Sequence, residues 1–392
     1  MKKLAGLLAM VGFVLLAACG KVSGGSGGGS GGGSGNGSGG STKTLLGYAI
    51  TNYEGSNGNA TSTAVYSDGS GTPVNSLSGN YGTLGNDVVE KTINGHPFIF
   101  MEASNPNEIF AFSLDASTGQ ITQLPGITGL SLGVQCLAIS HSSNYLFALL
   151  SDGSSAEIQS YAIGTDGSLT PAQTTSLPTG YGDGSIFEDA TGRYLISVDQ
   201  ASTTAWNIFA YLDDENGTLT YQNELTDQTT IPPCNFVVDP NTKNGDYAYT
   251  CGAGTDIVIL NIDNLVSGSG SSLSVYSTGL SGNQLSLSWI DPTGTWLYVE
   301  SCTLGTSSCT NPPLNQFVIA SNGSLSAGTF APITLETSNS SSEAGYDATT
   351  GTVVFPGANG VAEYQFSSLD GSLSPIAKEI PIGSVVNFLF VQ

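Results

Sequence analysis

The chain has 392 residues, of which 8 are Lys or Arg and 31 are Asp or Glu, for a net charge of −23. With no cluster of basic residues beyond the first three positions, it is excluded as a nucleic-acid binder and as a protein held on anionic headgroups by a basic patch. Only 10% of residues are charged and 53 are glycine, which leaves Gly, Ser, Thr and Asn to make the surface of an exported, β-rich protein.

Lys2 and Lys3 precede an uncharged run from Leu4 to Ala18 that is too short to cross a bilayer comfortably and reads as a signal peptide over residues 1–18. Its end, Leu16-Ala17-Ala18-Cys19, resembles the lipobox of bacterial lipoproteins. The resemblance implies cleavage before Cys19, acylation of that cysteine and a lipid membrane as partner through it. Several acyl chains on one residue make such an anchor stable. Gly20 stands where enterobacterial lipoproteins retained at the inner membrane carry aspartate, so the outer membrane of the cell envelope, on its periplasmic or surface side, is the expected location. Residues 19–44 are the lipidated cysteine and a tether, almost all Gly and Ser, with a random-coil reach on the order of 25 Å. The same pattern would also fit an engineered linker; its place directly after the lipobox favours a natural spacer.

From residue 45 onward one unit recurs. A hairpin of the form apolar-x-x-aromatic, a short turn, then Gly-x-apolar appears as Ile158 to Leu169, Ile208 to Leu219 and Val361 to Leu373; Ile109 to Ile121 and Leu314 to Leu325 match it, and Val65 to Val74 and Ile257 to Leu273 match more loosely. The turn glycines are Gly71, Gly119, Gly167, Gly217, Gly270, Gly323 and Gly371, in steps of 48, 48, 50, 53, 53 and 48 residues. Between these hairpins lies a second kind with a polar turn, as in Ser288-Trp289-Ile290, Asp291-Pro292-Thr293-Gly294 and Trp296-Leu297-Tyr298-Val299. Aspartate and proline open such a turn and glycine closes it in the left-handed region. Seven units of four short strands, without a helical period, predict an all-β, seven-bladed propeller over residues 45–392. The last strand, Val385 to Val391, has no partner in its own unit and the chain enters at Leu45 to Ile50 with a second strand, so the two ends are expected to pair and close the ring.

Five cysteines follow Cys19 in an oxidising compartment. Cys234 and Cys251 flank a hairpin turn and Cys302 and Cys309 close a short loop, so two disulfides are expected with Cys136 left unpaired, although other pairings of the five are arithmetically open.

The Asp-Pro-x-Gly inner hairpins and the Tyr-to-Gly-x-Leu outer hairpins resemble the lactonase-type seven-bladed propellers, the family that includes bacterial 6-phosphogluconolactonase and fungal muconate cycloisomerase. The resemblance implies a site on the axis, on the face of the second-to-third-strand and blade-to-blade loops, where basic and His or Glu side chains hold an anionic substrate and move a proton. This chain departs from that pattern. His96, His141 and Arg193 fall in first-to-second-strand turns, on the opposite face, and Lys378, the lysine nearest the site face, lies on an outer strand. A sugar-phosphate mechanism therefore does not carry over residue by residue.

Carboxylates remain. Glu102, Asp199 and Glu300 close second strands and Asp152 follows one, so all four are expected near the channel mouth, as a Ca²⁺ or Mg²⁺ site, as a base on water, or as solvated strand ends. Glu102 and Glu300 share a phase, whereas Asp199 comes one residue later and faces the other way. Trp206 is placed in a second-to-third-strand loop, where it could carry a carbohydrate; Trp289 and Trp296 are placed between blades. No serine has a nucleophile signature. The leading expectation is a monomeric, lipid-anchored binding or scaffolding module that presents its axial face to a carbohydrate, peptide or envelope partner. The alternative is a hydrolase of a neutral lactone or sugar lactone that works through Glu102 or Glu300.

Overall fold

The computed structural model describes residues 44–392 apart from 53–58, 67–69, 79–82, 106, 143, 178–183, 203–204, 228–235, 243–244, 253–254, 281–282, 304–311, 336–343, 358–359, 382–384 and 391–392, with the backbone alone for some flanking residues. The signal peptide, Cys19 and the tether lie outside the described residues. Seven antiparallel sheets follow one another. Blade one contains Leu45–Asn52, Asn59–Tyr66 and Ser70–Ser78; blade two Thr83–Ile93, His96–Asn105, Asn107–Leu114 and Ile121–Ile127; blade three Gly133–Ile139, Tyr145–Ser151, Ala156–Ile163 and Leu169–Ser176. Blade four has Gly184–Glu188, Tyr194–Ser202, Ala205–Asp213 and Leu219–Asp227, and blade five Val237–Val238, Tyr247–Cys251, Asp256–Asn261 and Leu273–Ser277. Blade six has Asn283–Ile290, Trp296–Thr303, Pro313–Ile319 and an outer strand in two pieces, Leu325–Ala327 and Ile333–Thr334. Blade seven has Gly345–Asp347, Thr352–Pro356, Gly360–Phe366 and Leu373–Pro381.

The final strand, Val385–Phe390, is the innermost strand of blade one, with Tyr48 opposite Leu389 and Ala49 opposite Phe388. The two ends of the chain thus close the ring as expected, which removes the edge that an open array would leave.

Period-two alternation sends neighbouring residues of one strand into different seams between blades. In Tyr194–Ser202, Leu195 packs toward blade three while Ile196 and Val198 pack toward blade five. The inner turns are held by their aspartates. Asp291 accepts hydrogen bonds from the N–H groups of Thr295 at 2.8 Å and Trp296 at 2.7 Å on one oxygen and from Thr293 N–H at 3.0 Å on the other. Asp189 does the same for Thr191, Arg193 and Tyr194. These turns are therefore structural, and their aspartates act as caps rather than as ligands.

The outer-turn glycines recur for two reasons. Gly217 has φ +82°, and a Cβ there would stand 2.6 Å from Cδ1 of Tyr145 in the preceding blade. Gly323 has φ +73°, with Cδ1 of Tyr247 at 2.4 Å. Both conformation and space demand glycine. Gly119, Gly167 and Gly371 sit against Tyr48, Phe98 and Trp296 in the same way. Several pairs of blades are also joined at these turns by hydrogen bonds: Ser160 Oγ donates to the Gly217 carbonyl at 2.8 Å, Tyr249 OH to Gly323 at 3.0 Å and Gln316 Nε2 to Gly371 at 2.9 Å.

Three expectations are corrected. Gly71 is not a turn residue; it pairs with Val65 inside an outer ladder. Blade five carries a helix, Ile262–Ser267, between its third and fourth strands, started by the Asn261 side chain on Asn264 N–H and ended by Gly268 at φ +64°. Six residues are too few to leave a periodic signal. Cys136 and Cys251 are buried and neither is a free thiol, so an unpaired Cys136 is overturned. The side chains of Cys234, Cys302 and Cys309 lie outside the described residues, and no disulfide has both sulfurs within them.

Candidate functional site

The structure brings three of the four expected acids to the ends of second strands and buries them. Glu102 is 5% exposed, Asp199 1% and Glu300 1%. The reading of these groups as solvated strand ends is therefore corrected: the strands run past them, to Asn105, Ser202 and Thr303, and adjacent blades cover both faces. Glu102 shares a face with Phe98 and Phe100, which pack against blade three. Glu300 shares a face with Tyr298, which packs against blade seven, and Ser288 Oγ donates to Glu300 Oε1 at 2.9 Å. Asp199, opposite the buried Asn207, shares a face with Leu195 and looks back at blade three. The one-residue phase difference thus has a three-dimensional meaning. Glu102 and Glu300 look toward the following blade and Asp199 toward the preceding one. Each of the three has an interaction partner, as a carboxyl group withdrawn from water requires.

Asp152 is exposed and occupied by its own turn: one oxygen accepts from Ser154 N–H at 2.9 Å, Ser154 Oγ at 2.8 Å and Ser155 N–H at 2.8 Å. Those hydrogen bonds hold its carboxyl below the usual range. Trp206 is not in a loop. It lies in the third strand of blade four, 7% exposed, in an apolar cluster with Phe187, Ile208 and Phe236, because the hairpin turns later than its polar residues suggest. Trp289 packs between blades six and seven as expected. Trp296, partly exposed, lies beside the cluster and against Gly371.

A fourth buried acid escaped sequence reasoning. Glu363, fully buried, sits in the third strand of blade seven on the face of Val361, toward blade one. Superposing the repeats would have found it, since the equivalent positions hold Ala111, Ser160, Ala210 and Gln316. The opposite face carries every Lys, Arg and His whose side chain is described: Lys91 on an inner strand, and His96, His141 and Arg193 at first-to-second-strand turns, the last with its guanidinium 5.2 Å from the Tyr194 ring centre. Among the described residues, no three His, Cys, Asp or Glu side chains come together as a metal site.

No protein-family profile matches the chain, and no curated protein matches it. Solved structures do match. The periplasmic gluconolactonase of Pseudomonas aeruginosa superposes with a TM-score of 0.64 at 15% identity, over 89% of this chain and 99% of that one. A candidate 6-phosphogluconolactonase of Bacteroides fragilis gives 0.63 at 14% identity, over 89% and 98%. A protein of Lactobacillus plantarum gives 0.63 at 16% identity, over 90% and 100%. The likeness is one of fold, a seven-bladed propeller; among the described side chains, no Lys, Arg or His lies on the face of the second-to-third-strand loops.

Proposed function

We propose that this chain is a lactonase-like hydrolase of the bacterial cell envelope, acting on a neutral lactone or sugar lactone at the face where second strands give way to third strands. The observation that carries the reading is the pair Glu102 and Glu300, in phase, buried and set in corresponding positions of blades two and six. The fold supports it, since one structural neighbour is a gluconolactonase. In the reaction a carboxylate takes a proton from water as the water oxygen bonds to the lactone carbonyl carbon. The ring C–O bond then breaks, its oxygen takes up a proton, and the product is a hydroxy acid. A neutral substrate is specified because no Lys, Arg or His with a described side chain lies on this face to pair with a phosphate. Ca²⁺ or Mg²⁺ enters only as a variable of the assay.

The test is turnover of a panel of neutral and phosphorylated lactones, with and without EDTA. Hydrolysis of neutral members, with little or none of their 6-phosphates, is the expected result; hydrolysis confined to phosphorylated members would refute it. The same scarcity of cations favours a second reading, since it leaves the developing oxyanion without a charged partner. In that reading the face binds a carbohydrate, peptide or envelope protein without turnover, and a panel with no hydrolysis at all would decide for it. In either case acylated Cys19 is proposed to hold the propeller on the outer membrane. Cys19→Ser should move the protein from the membrane to the soluble fraction, and continued membrane retention would contradict the anchor.

A further inference from the structure

On the face opposite the proposed site, four acids gather at one end of blade four, Glu188 and Asp213 on its side toward blade three and Asp189 and Asp246 where it meets blade five. Glu188 ends the inner strand of blade four and Asp213 its third strand; Asp189 opens its first inner turn, and Asp246 leads into the second strand of blade five. All four are buried. They hydrogen-bond as carboxyl pairs, Glu188 with Asp213 inside the blade and Asp189 with Asp246 across the seam. We propose that each pair shares one proton, that these two protons are structural parts of the propeller, and that blade four and its seam with blade five weaken as pH rises.

The hydrogen-bond inventory argues for it. Asp189 already spends both oxygens as acceptors, toward Thr191 N–H at 3.2 Å, Arg193 N–H at 2.8 Å and Tyr194 N–H at 2.6 Å. It has nothing to donate, so Asp246 must bring the hydrogen that joins them. Asp213 accepts from Glu215 N–H at 3.0 Å on one oxygen, and its hydrogen bond with Glu188 holds Asp213 down while pushing Glu188 up, which makes Glu188 the protonated member of the pair. One oxygen of Glu188 and one of Asp246 have no hydrogen-bond partner, an arrangement far costlier for a carboxylate than for a neutral acid. The surrounding charges point the same way. Asp246 faces Asp189 and Asp263, the latter accepting Asp246 N–H at 3.2 Å. Glu188 faces Asp213, Asp189, the His141 backbone and one cation, Lys91; Asp213 also faces Asp214 and Glu215. Burial first, and then these neighbouring carboxyls, push Glu188 up to about 9 and Asp246 up to about 9.

The sign follows from linkage. The folded chain keeps these two protons up to about pH 9, whereas the unfolded chain loses them near the ordinary carboxylate range, so folding takes up about two protons at pH 7 and stability falls from mild acid to pH 9. Asp239, raised to about 6 by burial and Asp291, adds slope only below that pH. The exposed turn acids Asp115, Asp152, Asp166 and Asp370 are held low by their own hydrogen bonds; they lose stability only in acid and are silent above pH 6. Lys91, held low by burial, acts in the opposite sense near the upper end. Thermal unfolding of the full chain from pH 6 to 9 should therefore show a Tm that falls throughout. Glu188→Gln and Asp246→Asn, which replace the shared proton by an amide N–H, should each remove about one proton from the linkage and should exceed the wild-type Tm at pH 9. A wild-type Tm that is flat or rising over this range, or variants that keep the wild-type slope, would overturn the proposal. Should a variant fail to fold, infrared spectroscopy of the wild-type chain decides: a protonated-carboxyl band present at pH 7 and lost at pH 10 is expected, and its absence at pH 7 refutes the shared protons.

Discussion

Glu300→Gln is expected to lower kcat for lactone hydrolysis by about 10²–10⁴-fold, the range over which a positioned general base contributes. The substitution suits its purpose because Ser288 Oγ donates to Glu300 Oε1 at 2.9 Å, and a glutamine amide oxygen accepts the same bond. Shape and hydrogen bonding are kept while the basic lone pair is lost. Glu102→Gln is expected to act in the same direction, since it occupies the equivalent place in blade two. Asp199→Asn is the control: it lies at the same strand level but faces the preceding blade, so its kcat should stay within a few-fold of wild type. Steady-state kinetics beside circular dichroism separates these outcomes. Equal losses in all three variants would mean that burial, and not position, governs the effect.

Trp289→Ala should produce the largest loss of stability of any single core substitution in blade six, about 3–5 kcal/mol by urea unfolding. Its indole stacks on Tyr298 at 5.2 Å and meets Phe366 edge-on at 5.2 Å and Tyr346 at 5.6 Å. It therefore joins two blades through three aromatic contacts, each worth a further fraction of a kcal/mol to about 1.5 kcal/mol. Tyr298 in turn donates its hydroxyl to the Gly371 carbonyl in blade seven. Trp296→Ala should cost much less, because that ring is partly exposed and lies beside the cluster. Comparable losses at the two positions would contradict the assigned packing.

The repeat was legible because its punctuation is physical. Gly217 and Gly323 are fixed by a left-handed backbone and by the aromatic ring of the preceding blade, and Asp291 and Asp189 are fixed by the turn N–H groups they cap. Such residues recur at a constant spacing, and so the number of blades and the closure of the ring could be read directly. Trp206 was misplaced because a strand that outruns its polar residues leaves no local mark. The burial of Glu102, Asp199, Glu300 and Glu363 was not legible at all. Exposure in a propeller is decided by the adjacent blade, whose register against a given side chain is a contact about fifty residues away in sequence. The pairing of Asp189 with Asp246 is of the same kind, assembled only when the blades meet, whereas Glu188 meets Asp213 across the strands of one blade.

The most direct test of where the chemistry sits compares two double variants in one hydrolysis assay at pH 7 with a neutral lactone. Glu102→Gln with Glu300→Gln should abolish turnover in a chain that still folds, while Glu188→Gln with Asp246→Asn, on the opposite face, should retain wild-type kcat. Full activity in the first and its loss in the second would place the reaction on the other face of the ring and contradict the account given for this protein.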